Sequence, residues 1–349
     1  MIGVLVLTGF LGSGKTTLLR HLLRQSEFSH TAVIINEFGE IGLDHELVEA
    51  STDSFVQLKT GCLCCKVRSD LVETLADMLR RRDCGEVTPF TRVVIETSGL
   101  ADPAPILHTL MTDAGMAGRL ALSSVVTTVD AVTGVGTLAR EQVSVKQVAL
   151  ADHLILTKSD LADTAEVLER LAALNATASL ALARYGAIDP RVFDSAFDAT
   201  RSPDEPTGRG ARPDGDIRVN PHIASLMRAT DTHATGEHLH GGHDPDIQTY
   251  AIVRDEPIHA VALTLFLETL AEHCGADLLR LKGIINIMES PDRPAVIHGV
   301  QHVFHPPAWL ARWPSGDRRS RIVVITRRVP QRWVELLLEA LEAEVAMIS

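Results

Sequence analysis

Eight residues near the start of the chain, Gly9-Phe10-Leu11-Gly12-Ser13-Gly14-Lys15-Thr16, follow an apolar, β-branched run and lead into a segment of helical period. The spacing G-x-x-x-x-G-K-[ST] between a strand and a helix constrains the fold more than any other feature. Such a loop turns successive backbone N–H groups and the helix N-terminus toward one anion. Gly9, Gly12, Ser13 and Gly14 allow the curl, and Lys15 is placed to neutralise the β- and γ-phosphates of a nucleotide. The Thr16 hydroxyl is placed to hold Mg2+, with Thr17 beginning the helix behind it.

The surrounding pattern continues in kind to about residue 200. Short apolar runs at Gly3–Leu7, Ala32–Ile35, Arg92–Glu96, Ser123–Val129, His153–Leu156 and Ser179–Ala183 alternate with helical stretches such as Lys15–Leu23 and Asp70–Arg81. This predicts an α/β domain with a mainly parallel sheet over residues 1–200. Residues 201–216 contain little to bury and read, with the His-bearing stretch after them, as a flexible Pro/Gly- and His-rich linker over 201–246. Residues 247–349 predict a smaller α+β domain with an antiparallel sheet. Its strands fall at Ile247–Val253, Leu279–Met288, Ala295–Phe304 and Arg321–Thr326, and its helices at Leu263–Cys274 and Gln331–Ala346.

Composition excludes several function classes. With 45% hydrophobic and 22% charged residues over 349 positions, general disorder is excluded. No stretch reaches the roughly 18 uninterrupted apolar residues of a membrane-spanning helix, and the apolar start has no basic lead-in. A formal net charge of −12 gives nucleic acid or an anionic membrane no help from the overall field. Three of the five cysteines crowd into residues 62–65, a poor disulfide framework, so reduced thiols and a cytoplasmic location are expected. Cys84 and Cys274 stand alone and are expected to be buried.

A triphosphate site of this kind also calls for an acidic group near the metal, at the end of a neighbouring strand. Glu96 ends such a run, and Gly99 lies where a small residue lets a backbone N–H approach a γ-phosphate. Thr157-Lys158-Ser159-Asp160 follows another apolar run. A carboxylate at Asp160 can accept from both N1–H and the exocyclic amine of guanine, which adenine does not offer, so the segment points to GTP over ATP. The Lys158 stem is expected over the base and residues 179–186 beside it. Taken alone, the tetrapeptide reads nearly as readily as a helix N-cap.

Gly61-Cys62-Leu63-Cys64-Cys65 puts Cys62 and Cys64 on one face if it is extended, with Cys65 turning in at the helix start beyond. Two or three thiolates select Zn2+ or another soft or borderline ion and leave a position for exchange. A closed structural site would need a fourth ligand that the neighbourhood lacks, and ordinary core thiols are the alternative. Residues 36–44, rich in glycine and acid, suit a mobile switch or a plain solvated loop. Glu37 there falls either in the thiolate metal's shell or beside the nucleotide's Mg2+. His233, His238, His240 and His243 either chelate a borderline ion weakly or belong to a linker only.

In this order and spacing, GFLGSGKTTLL, NEFGEIGLD, GCLCC, ETSGLADP and TKSD resemble the CobW-type P-loop GTPases, a family that includes zinc and cobalt metallochaperones. Leu279–Gly283 and Val300–Trp309 resemble its C-terminal domain more loosely. The resemblance implies a SIMIBI-class P-loop NTPase fold that binds GTP and Mg2+ and hydrolyses slowly, with Lys15, Glu96 and Glu37 in the catalytic set. It also implies Zn2+ or Co2+ at Cys62, Cys64 and Cys65, delivered to a client metalloprotein, a metal-dependent enzyme or a cobalamin-type pathway. Neither nucleic acid nor membrane is expected as a partner, and a homodimer stays open. Thr157 departs from the Asn that many GTPases have there. A nickel-insertion GTPase of the same class and a non-catalytic zinc buffer are the competing expectations.

Overall fold

The structure, a computed structural model, describes residues 1–36, 55–57, 64–193 and 247–348, without the side chains of residues 36, 55–57, 64–69 and 191. These fall into two compact units, 1–167 with 179–193 and 168–178 with 247–348. The expected linker 201–246 lies outside the described residues.

The first unit is built on β1 (Ile2–Gly9), β2 (Thr31–Asn36), β3 (Phe55–Gln57), β4 (Arg92–Thr97), β5 (Leu120–Asp130), β6 (His153–Thr157) and β7 (Ser179–Leu182). They form one seven-stranded sheet in the order β3-β2-β4-β1-β5-β6-β7, and every pairing is parallel. All eight residues of β1 are buried, which is why it reads as a nearly unbroken apolar run rather than an alternating one. Parallel strands need crossover connections. Helices α1 (Lys15–Leu23), α2 (Cys64–Asp83), α3 (Ala104–Thr112), α4 (Gly134–Arg140), α5 (Gln142–Leu150) and α6 (Ala165–Leu174) lie between them in sequence. The leucines of α1 (18, 19, 22 and 23) pack in a core with Leu5, Leu7, Val94, Val126 and Ile155. Because all strands run the same way, Gly9, Thr97, Asp130 and Thr157 finish on one edge of the sheet, the edge where parallel α/β sheets bind ligands.

Two expectations for this first part of the chain need correction. Helix α2 begins at Cys64 rather than Asp70, because Val67, Leu71, Leu75 and Leu79 already repeat every four residues and carry the helical period back. The extended alternation that would set Cys62 and Cys64 on one face therefore does not reach Cys64. Cys64 and Cys65 are instead successive helical residues, about 100° apart around the axis. Cys84 is exposed, since it follows the charged end Arg80-Arg81-Arg82-Asp83, whereas Cys274 is buried as expected.

The second unit contains β8 (Ile247–Arg254), α7 (Ala260–Cys274), β9 (Leu278–Ile285), β10 (Ala295–Val300), β11 (Val303–Phe304), β12 (Ala308–Trp309), β13 (Ser320–Arg327) and α8 (Gln331–Ile348). Its antiparallel sheet runs β11-β10-β9-β13-β8, with β12 on β10. Leu263, Phe266 and Leu270 of α7 and Val334 and Leu338 of α8 form one core with Ile252, Leu281, Ile322 and Val324 of the sheet. The single strand expected over Ala295–Phe304 divides into a hairpin at Gln301, which takes φ 52°. Among the described residues, no helix is long and apolar enough to cross a membrane.

Candidate functional site

The loop between β1 and α1 meets the C-terminal ends of β4, β5 and β6. Gly14 precedes α1 in the left-handed conformation and has no side chain to cap the helix, at the end where a helix favours an anion. Lys15 is buried, and its Nζ donates to Gly9 O at 2.8 Å and Phe10 O at 3.1 Å, which curls the ammonium back over the loop. A Cβ at Gly9 would stand 2.4 Å from both Thr128 O and Thr128 Oγ1, so only glycine allows β5 to close on the loop there.

Two hydroxyls brace the loop from behind. Ser13 Oγ lies 2.7 Å from Thr128 Oγ1. Thr157 Oγ1 donates to Ser13 O at 2.8 Å, with Val129 O a second acceptor at 3.1 Å. Thr157, which stands where many GTPases have Asn, thus ties β6 to the phosphate loop.

On the β4 side, Thr16 Oγ1 donates to Glu96 Oε1 at 2.8 Å, and Glu96 is only 2% exposed. A carboxylate and a hydroxyl this close form the hard oxygen set that Mg2+ prefers. Thr97 Oγ1 donates to Thr8 Oγ1 at 2.8 Å, which joins the two strand ends. Gly99 reaches the loop as well, since a Cβ on it would stand 2.7 Å from Leu11 N.

On the β6 side a small cavity opens to solvent. Gly14 and Thr17 wall it on one side, Thr157, Lys158, Asp160 and Leu161 on another, and Tyr185 and Gly186 close it. The structure therefore brings Asp160, the phosphate loop and the segment after β7 around one space. Lys158 takes φ 54°, and its Nζ bridges Gly12 O at 3.0 Å and Asp130 Oδ2 at 2.5 Å.

Asp130 is a site residue the motifs did not reveal. Its Oδ1 accepts from Val132 N at 2.7 Å and Thr133 N at 3.4 Å. Burial opposes its charge, but the bond from Lys158 and those backbone donors outweigh it and hold the carboxyl below the ordinary value. The available signal was positional, because Asp130 ends its strand on the same edge as Thr97 and Thr157.

Glu37, Cys62, His233, His238, His240 and His243 lie outside the described residues. The backbone of Cys64 and Cys65 opens α2. Among the described residues, no group of three or more His, Cys, Asp or Glu is placed to hold a metal.

Residues 3–181 match the family model described as CobW/HypB/UreG, nucleotide-binding domain, and residues 247–342 match the Cobalamin synthesis protein cobW C-terminal domain. Over 331 residues, 95% of each chain, the sequence is 32% identical to the zinc chaperone YjiA of Escherichia coli (strain K12). It is 30% identical to the zinc chaperone CobW of Pseudomonas aeruginosa, over 94% of this chain and 88% of that one. The crystal structure of Zn(II)-bound YjiA GTPase from E. coli is similar with a TM-score of 0.68 and 27% identity, covering 97% of this chain and 98% of that chain.

Proposed function

The chain belongs to the CobW/HypB/UreG family, with that family's nucleotide-binding domain followed by a cobW C-terminal domain, and from that premise we propose that it is a GTP-hydrolysing metallochaperone for Zn2+. The observation that carries the proposal is the convergence of Lys15, the Thr16–Glu96 pair and the cavity beside Asp160 on one edge of the parallel sheet.

In this reading GTP lies along the loop with its base in the cavity. Lys15 exchanges the carbonyls of Gly9 and Phe10 for phosphate oxygens, and the uncapped N-terminus of α1 faces the same anion. Asp160 accepts from the guanine N1–H and amine, while Lys158, tied to Asp130 and Gly12, stiffens the boundary between base and phosphate subsites. Thr16 and Glu96 would hold Mg2+, which when bound neutralises charge on the β- and γ-phosphate oxygens.

The cargo is Zn2+, in keeping with the names of the full-length relatives, and Cys62, Cys64 and Cys65 with Glu37 are the proposed acceptors. The nucleotide can move the metal only through different affinities of the GTP and GDP states. Thiolate ligation also requires proton release, so metal binding strengthens with pH. A client metalloprotein is the proposed recipient.

One paired measurement tests this. Hydrolysis of GTP and ATP is followed with Mg2+, with and without Zn2+, Co2+ and Ni2+, and Zn2+ affinity is measured against a chelator in the GTP and GDP states. GTP should be preferred by at least about tenfold, and the Asp160→Asn variant should lose that margin and favour xanthosine triphosphate. Equal use of ATP removes the guanine assignment. Identical Zn2+ affinity in the two nucleotide states removes the chaperone cycle.

A further inference from the structure

The turn that follows β4 is gripped from the side by α5. Ala101 N donates to Ser98 O at 3.1 Å, which closes the turn, and Gly99 within it abuts Leu11 of the phosphate loop. Gln147 of α5, 1% exposed, sends Nε2 to Gly99 O at 3.2 Å and to Ala101 O at 3.1 Å. Beside it, Lys146 Nζ donates to Asp102 Oδ2 at 2.8 Å. The other oxygen of Asp102 accepts from Ala104 N, at the start of α3, at 3.0 Å. The Gln147 backbone is anchored in turn, since its carbonyl accepts from Thr127 Oγ1 of β5 at 2.8 Å.

A trans peptide is planar, with its C=O and N–H pointing opposite ways. Holding the Gly99 and Ala101 carbonyls therefore fixes the directions of the Leu100 and Asp102 N–H groups, the first of which donates to Ser98 Oγ at 3.5 Å within the turn. The amide does this at a cost. Among the described residues, Gln147 Oε1 is buried with no hydrogen-bond partner, which a residue serving only to fill space would avoid by being apolar.

We infer that Gln147 is a positioning residue for GTP hydrolysis, which holds the Ser98–Asp102 turn against the phosphate loop through the carbonyls of Gly99 and Ala101. Lys146, through Asp102, fixes the far end of the same turn. The inference rests on the GTPase reading above. Nucleotide is held mainly by Lys15, Thr16 and the N-terminus of α1, none of which Gln147 touches. Loss of its two donors thus lowers the fraction of molecules with the turn in place and leaves the phosphate grip alone, so kcat falls while affinity stays.

The test uses the full chain and the variant Gln147→Met, which keeps the side chain's length and removes both donors. For Gln147→Met, kcat for GTP should fall by about tenfold or more, with KM and the GDP dissociation constant within about threefold of the parent protein. Amide hydrogen exchange without nucleotide should quicken over residues 98–102 and stay unchanged in α1. Asp102→Asn, which weakens the pair with Lys146, should show a smaller drop in kcat with the same constant KM.

Unchanged kcat together with unchanged exchange over 98–102 overturns the inference. So does a parallel loss of kcat, GTP and GDP affinity and thermal midpoint, since that is what a merely structural residue would give. If the parent protein hydrolyses no GTP, the GTPase reading fails on its own, and the exchange comparison decides whether Gln147 holds the turn.

Discussion

Thr16 Oγ1 donates to Glu96 Oε1 at 2.8 Å across 80 residues of sequence, which ties the first turn of α1 to the end of β4. The pair sits between the phosphate loop and the turn at Gly99, so a change in either partner is felt where a triphosphate would end. Its burial removes the competition of bulk water and makes the carboxylate's charge count.

Glu96→Gln keeps the shape and still offers an oxygen to Thr16, but it removes the charge. GTP hydrolysis should fall by about tenfold to a thousandfold, and half-saturation by Mg2+ should move to higher concentration. Nucleotide binding with the metal chelated should stay the same. Hydrolysis rates across a Mg2+ titration check this, and an unmoved half-saturation would exclude Glu96 from the metal site.

Thr157→Val removes one buried hydroxyl with little change of shape and leaves Ser13 O without that donor. The cost should be about 1–3 kcal/mol of stability. GTP and GDP affinity should drop together, because the brace supports the loop that both nucleotides share. Calorimetric titration with each nucleotide decides, and a loss confined to GTP would contradict the bracing role.

The Asp130–Lys158 pair carries a pH signature. Asp130 has a lowered pKa in the folded chain, so its contribution to stability is fully present above the ordinary carboxylate value and disappears as pH falls through the lower folded one. Lys158 is 40% exposed, so solvent screening keeps the contribution to about 1 kcal/mol or less. Asp130→Asn should therefore be slightly less stable than the parent near neutral pH, and the gap should start to close below about pH 4 and vanish once pH has passed the lower folded value. A gap that persists to lower pH would mean that the variant loses something other than the charge.

Cys64→Ser combined with Cys65→Ser should lower Zn2+ affinity by about a hundredfold or more, because an alcohol replaces thiolate ligands. GTP affinity should be unchanged. Competition with a chelator of known affinity reads the first quantity and fluorescent-nucleotide titration the second. Full retention of Zn2+ would place the tight site elsewhere in the chain.

Much of this protein is determined locally and is therefore legible in its sequence. The phosphate loop is eight consecutive residues between a strand and a helix, and the strands of the parallel sheet announce themselves as apolar runs because both faces are covered. Asp160 could be expected near the loop because its motif follows a strand that ends on the ligand edge, and it lines one space with Gly14 and Thr17. The three-residue β3 is too short to show a period, whereas the helical start of α2 at Cys64 is written in the repeat Val67, Leu71, Leu75 and Leu79 and the exposure of Cys84 in the charged run before it.

What only the tertiary structure decided is which distant groups meet. Thr157 reaches Ser13 across 144 residues, Lys158 reaches Asp130 across 28 and Gln147 reaches Gly99 across 48. Each contact depends on the strand order β4-β1-β5-β6, which brings the ends of strands distant in sequence to one edge. Periodicity and motif spacing act over a few residues and report local geometry. The order of strands follows from how the crossover helices pack on the two faces, a long-range balance of burial that no short stretch of the chain contains.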